Sequence, residues 1–458
     1  MKTKKTSLRS ARLLGRVRNL VKELAAQTIG ISDRICALAE PPLKEFKSCR
    51  LLADFLARQG FKVTWPWKPI PTGFLAVKGK GRPVLQVLAE YDALPDCGPK
   101  TGLWGHGCGH NLLGAAAVLA GIVAARVMEE RGLAGQIQVV GTPAEETVGG
   151  KVWIAQRGGF DKADAIMVWH PTTETFVDNA GLQAMDSILF EFGGRTAHAA
   201  GSPDKGRSAL DACMLMDVAV NYLREHVPDD TRMHCIIVDG GKAPNVVPDK
   251  SVVWYYIRGR GRSQVDDLRR RVVKCAQAAA LATETTMKMD ILTCCAERLP
   301  NNTLAGMMQQ LLTGLGMPKY TPADVRQARK LSPGRKIVYQ KKIGPIRNTQ
   351  RFGSSDEDNA SWFAPMGKIW ATTVPKDTIS HNRDCANLGV SSAAHKGMLK
   401  AAEVLGAAMI ELAVNKPLLR KAQAEFAKIR KGKQYKLPVS KRAIELSYAL
   451  AGKTAPPA

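Results

Sequence analysis

The sequence predicts an α/β fold: a mixed or parallel sheet with covering helices, interrupted by a compact α+β insert. Three observations predict it. Strand-like and helix-like stretches alternate through residues 60–185, the pattern that builds a sheet with helices packed on its faces. Residues 83–89 (Pro-Val-Leu-Gln-Val-Leu-Ala) form an apolar run of the kind a buried strand carries. Near residue 186 the alternation gives way to strands accompanied by two long helices.

In chain order, a helical N-terminal region precedes strands at 60–67 and 73–77. The run at 83–89 ends in Glu90-Tyr-Asp-Ala-Leu-Pro95. A helix is expected over 112–130, capped by Asn111 and stopped by Gly132. Strands at 136–141 and 163–169 run into Thr142-Pro-Ala-Glu-Glu146 and into His170. The insert supplies strands at 187–192, 233–238 and 251–257 and helices at 209–226 and 264–283. Residues 299–301 start the return to the first domain, whose last long helix covers 393–414. The expected division is therefore 1–185 and 297–415 for the main domain, 186–296 for the insert and 416–458 for a basic C-terminal tail. Residues 319–351, cationic and holding Gly and Pro, read as a loop or surface excursion.

A chain of 458 residues exceeds one ordinary core. Its 45% hydrophobic and 6% aromatic content suits a globular protein. No stretch approaches the roughly 18–20 uninterrupted apolar residues of a membrane span, and 112–127 reads as a buried helix. The net charge of +25 is concentrated in three places. Residues 1–22 hold eight Lys or Arg and no acid, 319–351 hold ten against one acid, and 416–458 hold eleven against two. The rest is close to neutral, so the basicity reads as a peripheral, solvated surface. No zinc finger or RNA-binding aromatic signature accompanies it, and no nucleic-acid partner is expected. Ten cysteines without a repeating framework argue for reduced thiols. The N-terminus has no apolar core ending in a small-residue cleavage site, so a cytoplasmic location is expected.

Gly-His-Gly-Cys-Gly-His-Asn at 105–111 puts Cys108 and His110 two residues apart at the mouth of the expected helix. Alone, such a pair is commonplace. Glu145, Glu146 and His170 fall just past strand ends, and His381 lies in a loop far downstream. In sheets of this class ligands collect outside the carboxyl ends of the strands, so residues distant in sequence can converge on one rim. Thiolate, imidazole and carboxylate together suit Zn²⁺ or a similar ion better than Ca²⁺ or Mg²⁺. Adjacent side chains in extended backbone point in different directions. One carboxylate of the Glu145-Glu146 pair can then bind metal while the other faces a water as general base. His198, in the insert, is either a structural histidine or an oxyanion donor, the latter if the insert reaches the site, for instance from a second subunit. Asn245 and Arg258 carry two readings too, as a turn Asn and a strand Arg or as holders of a substrate carboxylate. His106 flanks the metal motif as a supporting residue, His226, His234 and His395 read as structural, and Cys97 lacks a paired ligand at useful spacing.

Ala89-Glu-Tyr-Asp-Ala-Leu-Pro95, the run at 105–114, Thr142-Pro-Ala-Glu-Glu146, Trp169-His-Pro171 and Gly194-Arg-Thr-Ala-His198 together resemble the amidohydrolase branch of the M20 metallopeptidases. Within it they are most similar to the aminobenzoyl-glutamate utilisation protein B type. Segments 208–212, 221–226, 243–248 and 394–398 extend the resemblance toward the C-terminus. It implies a mixed-sheet, zinc-peptidase-like catalytic domain with an inserted α+β dimerisation (lid) domain. It implies that Cys108, His110, Glu146, His170 and His381 hold two divalent ions, Zn²⁺ or Mn²⁺. Glu145 would be the general base, with His198, Asn245 and Arg258 helping to bind substrate. The implied reaction is hydrolysis of the amide bond of a small N-acyl or aminobenzoyl amino acid. The implied assembly is a homodimer through the insert or a hetero-oligomer with a related subunit. A dipeptidase, an auxin-conjugate-like hydrolase and a catalytically silent basic binding protein are the alternatives. Asn359 stands where the subgroup's Gly-Ser-Thr-Asp-Val-Gly-Asp-Val-Ser-Trp pattern has its second Asp, and the sequence around His381 is divergent.

Overall fold

The computed structural model describes residues 3–67 and 70–454, without the side chains of 3–11 and 451–454. The ends of the basic N-terminal segment and of the basic tail thus lie outside the described residues. Helices α1 (Thr3–Leu38) and α2 (Phe46–Arg58) lead into β1 (Lys62–Thr64), β2 (Phe74–Lys80), β3 (Val84–Ala89), α3 (His110–Glu130), β4 (Gly135–Gly141), α4 (Gly150–Gln156), β5 (Ala165–Thr172) and β6 (Phe176–Val177). Next come β7 (Ala184–Gly193), α5 (Ala209–Leu223), β8 (Arg232–Asp239), β9 (Lys250–Gly259), α6 (Arg262–Ala282) and β10 (Thr286–Cys295). The chain closes with α7 (Asn302–Leu315), α8 (Pro322–Leu331), β11 (Met366–Thr372), α9 (Arg383–Leu388), α10 (Ser392–Val414), α11 (Lys416–Arg430) and α12 (Ala443–Thr454).

Seven strands form the larger sheet in the order β1-β2-β4-β3-β5-β11-β6. Its middle four, β4, β3, β5 and β11, are mutually parallel; β2 and β6 flank them antiparallel, and β1 pairs antiparallel with β2 at the edge. This is the mixed sheet the sequence predicts. Helices α1, α3, α7 and α10 share one large apolar core with it. Helix α3 is long and apolar enough to cross a membrane, but 94% of its most apolar window is buried inside the fold, as the Ala-rich run suggested.

The second sheet is antiparallel, in the order β10-β7-β9-β8. Strand alternation divides its faces. Val253, Tyr255 and Ile257 of β9 pack in a core with residues of α5 and α6. The intervening Tyr256 and Arg258 pair across the strands with His234 and Arg232 on the opposite face.

Several local expectations are corrected. Asn111 does not cap α3; the helix starts two residues earlier than expected, at His110, and Gly109 stands at its N-cap with φ 74. A Cβ on Gly109 would lie 2.7 Å from Pro171 Cγ, so both the left-handed backbone and the close approach demand glycine. Asn111 is buried instead, donating to Ser32 Oγ at 3.1 Å. His170 lies inside β5 rather than beyond it. Strands β10 and β11 join those read from sequence, and 319–351 contains a capped helix, α8.

The tail is folded as well. Ser440 exchanges hydrogen bonds with Ile291 of β10, its N–H donating to the Ile291 carbonyl and its Oγ accepting from the Ile291 N–H, both at 2.9 Å. Val439 packs against the core of the second sheet and also against a cluster containing Ile70, Val148 and Trp153 of the first domain. The tail therefore straps the insert to the main body.

Candidate active site

The parallel strands end on one rim, and each end delivers polar side chains there. Strand β3 runs into Glu90 and Asp92, β4 into Glu145 and Glu146, and β5 carries His170. Cys108 precedes α3 and His110 opens it. His381 arrives from the loop after β11 with a φ of 59, and its N–H donates to the Gly107 carbonyl at 2.9 Å.

These side chains meet. Cys108 Sγ lies 3.4 Å from His170 Nε2, and Glu146 reaches His110 Nε2 at 3.8 Å and His381 Nε2 at 3.6 Å. Three overlapping groups have their ligand atoms within 4.8 Å of one another: Cys108, His110 and His170; Cys108, Glu146 and His381; His110, Glu145 and Glu146. His110 Nε2, Glu146 Oε1 and Glu90 Oε2 are buried without a hydrogen bond, Nε2 facing the Glu90 oxygen at 3.2 Å. Native interiors rarely leave such atoms unpaired. Sulfur, imidazole and carboxylate donors stranded together fit a divalent ion.

Neighbouring groups aim the ligands. Asp92 Oδ1 accepts from His110 Nδ1 at 2.9 Å, which directs Nε2 inward, and Asp92 Oδ2 accepts from the Glu146 N–H at 3.0 Å. His170 Nδ1 donates to the Pro171 carbonyl at 2.8 Å, turning its Nε2 toward Cys108. Such partners fix tautomer and ring orientation. Burial, reinforced by Lys368, holds the His170 pKa well below its usual value, so this imidazole is neutral and free to ligate. Burial, with Glu146 adding to it, pushes the Cys108 thiol up. Behind the rim, Lys151 is fully buried and pairs with Glu90 and Asp356, each at 2.7 Å. Burial alone would lower its pKa, but Asp356 and Glu90 outweigh that and raise it.

Above the rim lies a cavity of about 630 Å³, and Glu145 and Glu146 are the only carboxylates among its lining residues. Ser355 Oγ donates to Glu145 Oε1 at 2.6 Å. The lining also includes Arg232, His234 and Arg258 from the open face of the insert sheet, together with Arg351.

The structure thus brings Cys108, Glu145, Glu146, His170, His381 and Arg258 to one cavity, with His110 buried directly behind its lining and within reach of the same ligand atoms. His198 and Asn245 do not line it. They sit together on exposed loops, with His198 bridged to Val246 and the Ala199 N–H donating to the Asn245 carbonyl at 3.0 Å. His234, read as structural, lines the cavity. So does Arg351, the last residue of the stretch read as a surface excursion, so the positive charge is not wholly peripheral. His106 is buried with Nε2 on the Ile35 carbonyl at 3.1 Å, and His395 ties α10 to Asp33 of α1 at 2.8 Å. Asn359 is buried outside the cavity lining, donating to the Asp356 carbonyl and accepting from the Ala296 N–H, both at 2.9 Å. Sequence reasoning missed Asp92, Glu90, Lys151 and Ser355. The strand-end rule that selected Glu145 and Glu146 applies equally to Glu90 and Asp92; Ser355 lies in the segment 353–362 that resembles the subgroup pattern, whereas Lys151 carries no local signal.

A family model described as a peptidase dimerisation domain matches residues 181–284. The chain is 33% identical to a p-aminobenzoyl-glutamate hydrolase subunit of Escherichia coli strain K12, over 90% of this chain and 94% of that protein. It is 28% identical to the Xaa-Arg dipeptidase of Mus musculus, over 88% of this chain and 89% of that one. Among solved structures, a dinuclear metal binding peptidase of the M20 family from Bacillus subtilis shares the fold, with a TM-score of 0.56 at 15% identity, covering 86% of this chain and 99% of that one.

Proposed function

We propose that this chain, which belongs to the M20 family of metallopeptidases and amidohydrolases and is a metal-dependent amidohydrolase, cleaves N-acyl or aminobenzoyl amino acids with Glu145 as its general base. The observation that carries this reading is the convergence of five metal-suited side chains around a second carboxylate, four of the five lining one cavity and His110 lying buried behind it. The name of the 33%-identical relative supports an aminobenzoyl-glutamate-like substrate.

Cys108, His110, Glu146, His170 and His381 would hold two divalent ions, which when bound polarise a water and the amide carbonyl. Glu145 takes the proton from that water and passes it to the departing amine. The Ser355 hydroxyl, donating to one Glu145 oxygen, fixes the carboxylate for both transfers. Arg258 holds the substrate carboxylate from the insert side, as a guanidinium does in a charge-assisted pair. The thiol and imidazole donors favour Zn²⁺, with Mn²⁺ second. Ten free thiols support a reducing, cytoplasmic compartment.

In this reading 1–185 and 297–415 form the catalytic domain, 186–296 a dimerisation or lid domain and 416–458 an appended basic tail. A homodimer through the insert is supported by the exposed apolar stripe Met214, Val218 and Tyr222, spaced four residues apart on α5, and by the exposed Ile236 and Ile237 of the edge strand β8. The exposed His198 and Asn245 would then serve the partner's cavity. The 33%-identical relative is named as one subunit of its hydrolase, which also supports pairing with a related chain.

Replacing Glu145 with Gln tests the mechanism. Metal content should stay at the wild-type level while amine release from a panel of N-acyl amino acids, aminobenzoyl-glutamate and dipeptides falls by about 10²–10⁴-fold. His170→Ala should instead lose metal. Full activity in Glu145→Gln would overturn the assignment, and wild-type protein with neither metal nor turnover would favour a silent binding protein.

A further inference from the structure

Arg351 occupies an unusual position in the cavity. Its guanidinium carbon stands 4.2 Å from the Trp370 ring centroid, and Trp370 packs at 4.5 Å against the ring of His170. One indole thus separates this cation from the metal rim. Arg351 Nε and Nη2 are buried, yet neither makes a hydrogen bond. Among the described residues the one carboxylate within ion-pair range is Asp178, 3.6 Å from Nη2. Asp178 is already engaged, accepting from Trp370 Nε1 at 2.8 Å and from the Gly181 N–H at 3.0 Å, and facing Arg298 at 3.8 Å. Burial holds the Arg351 pKa below its ordinary value even with Asp178 nearby.

The surroundings point the same way. Arg232 and Arg258, paired across β8 and β9, line the cavity too, and among the described residues neither has a carboxylate partner. The cavity's two carboxylates are both at the metal rim. A guanidinium with unused donors in a fixed planar fork matches a carboxylate in geometry as well as in charge.

We propose that Arg351 is a specificity-determining residue that receives a second carboxylate on the amino-acid half of the substrate, so that the enzyme prefers conjugates of acidic amino acids. The inference rests on the amidohydrolase reading and extends it: Arg258 takes the α-carboxylate and Arg351 the side-chain carboxylate. A substrate ending in arginine, which the dipeptidase relative's name specifies for that protein, would bring a further cation among three arginines and is disfavoured. The competing view makes Arg351 a structural cation held between Trp370 and Phe176, whose ring centroid is 5.5 Å away. It predicts lost stability without altered preference.

The test compares N-acetyl-glutamate with the isosteric neutral N-acetyl-glutamine on metal-loaded full-length protein, by calorimetric binding to Glu145→Gln and by kcat and KM on active enzyme. The probe carrying the second carboxylate should bind about 10–100-fold tighter, the range of a lost charge-assisted bond. Adding Arg351→Gln should bring the ratio close to one, mainly through KM, with metal content unchanged. Arg351→Lys, which keeps the charge but not the fork, should restore only part of the preference. Equal binding of the two probes by the parent protein would overturn the proposal. So would an unchanged preference in Arg351→Gln, and so would a fall in thermal midpoint as its only effect. Absence of turnover with the binding preference intact would instead count against the hydrolase reading alone.

Discussion

Lys151 is an ammonium sealed from water between Glu90 and Asp356, just behind the side chains that would hold metal. Removing one partner of a buried ion cluster strands the rest at a cost of about 3–5 kcal/mol, more than the cluster's net worth. Lys151→Met should therefore destabilise the fold by about that amount, read as a shift in the urea midpoint; a midpoint within error of wild type would show that the carboxylates are not both charged. The same residue marks the limit of what sequence could tell. Cys108, His110, Glu146 and His170 were legible because motif and strand end announce them together. Lys151 pairs with a residue 205 positions away, and Ser355 with one 210 away, so only the folded chain reveals either contact.

Among the elements, the turn before α3 shows how backbone geometry sets the site. Gly109 combines a left-handed φ with an approach to Pro171 too close for any side chain, and Pro171 follows His170 directly. Gly109→Ala should cost roughly 1–3 kcal/mol in strain. It should also weaken metal binding in a chelator competition, because it pushes β5 away from α3; unchanged affinity with lowered stability would separate packing from ligand placement. The parallel strands were mostly readable because apolar runs of strand length stand between turn residues. Strand β11 was not: Gly367 and Lys368 break the run. The structure reconciles that pattern with burial by pairing Lys368 with Glu357, which also meets Arg298 at 2.9 Å. The tail likewise hid α11, since a high density of Lys and Arg masks its narrow apolar face.

For the whole molecule, the assembly and the catalytic readings can be tested together. Tyr222 is 77% exposed at the end of the apolar stripe on α5. Tyr222→Glu should convert a dimer into a monomer by light scattering, and activity should fall with it if His198 works in the neighbouring cavity. Mixing inactive Glu145→Gln with His198→Ala subunits should then recover activity, because a mixed dimer holds one complete site; no recovery would place His198 outside the catalytic machinery. The tail adds a different constraint. Because Ser440 is bonded to Ile291 while Val439 rests on both bodies, the insert is joined to the main domain by three crossings of the chain instead of two. A swing of the insert and release of the tail then become one coupled equilibrium. The turn at 431–432, which follows α11, would become most open to a protease when the cavity gapes and most protected when it shuts.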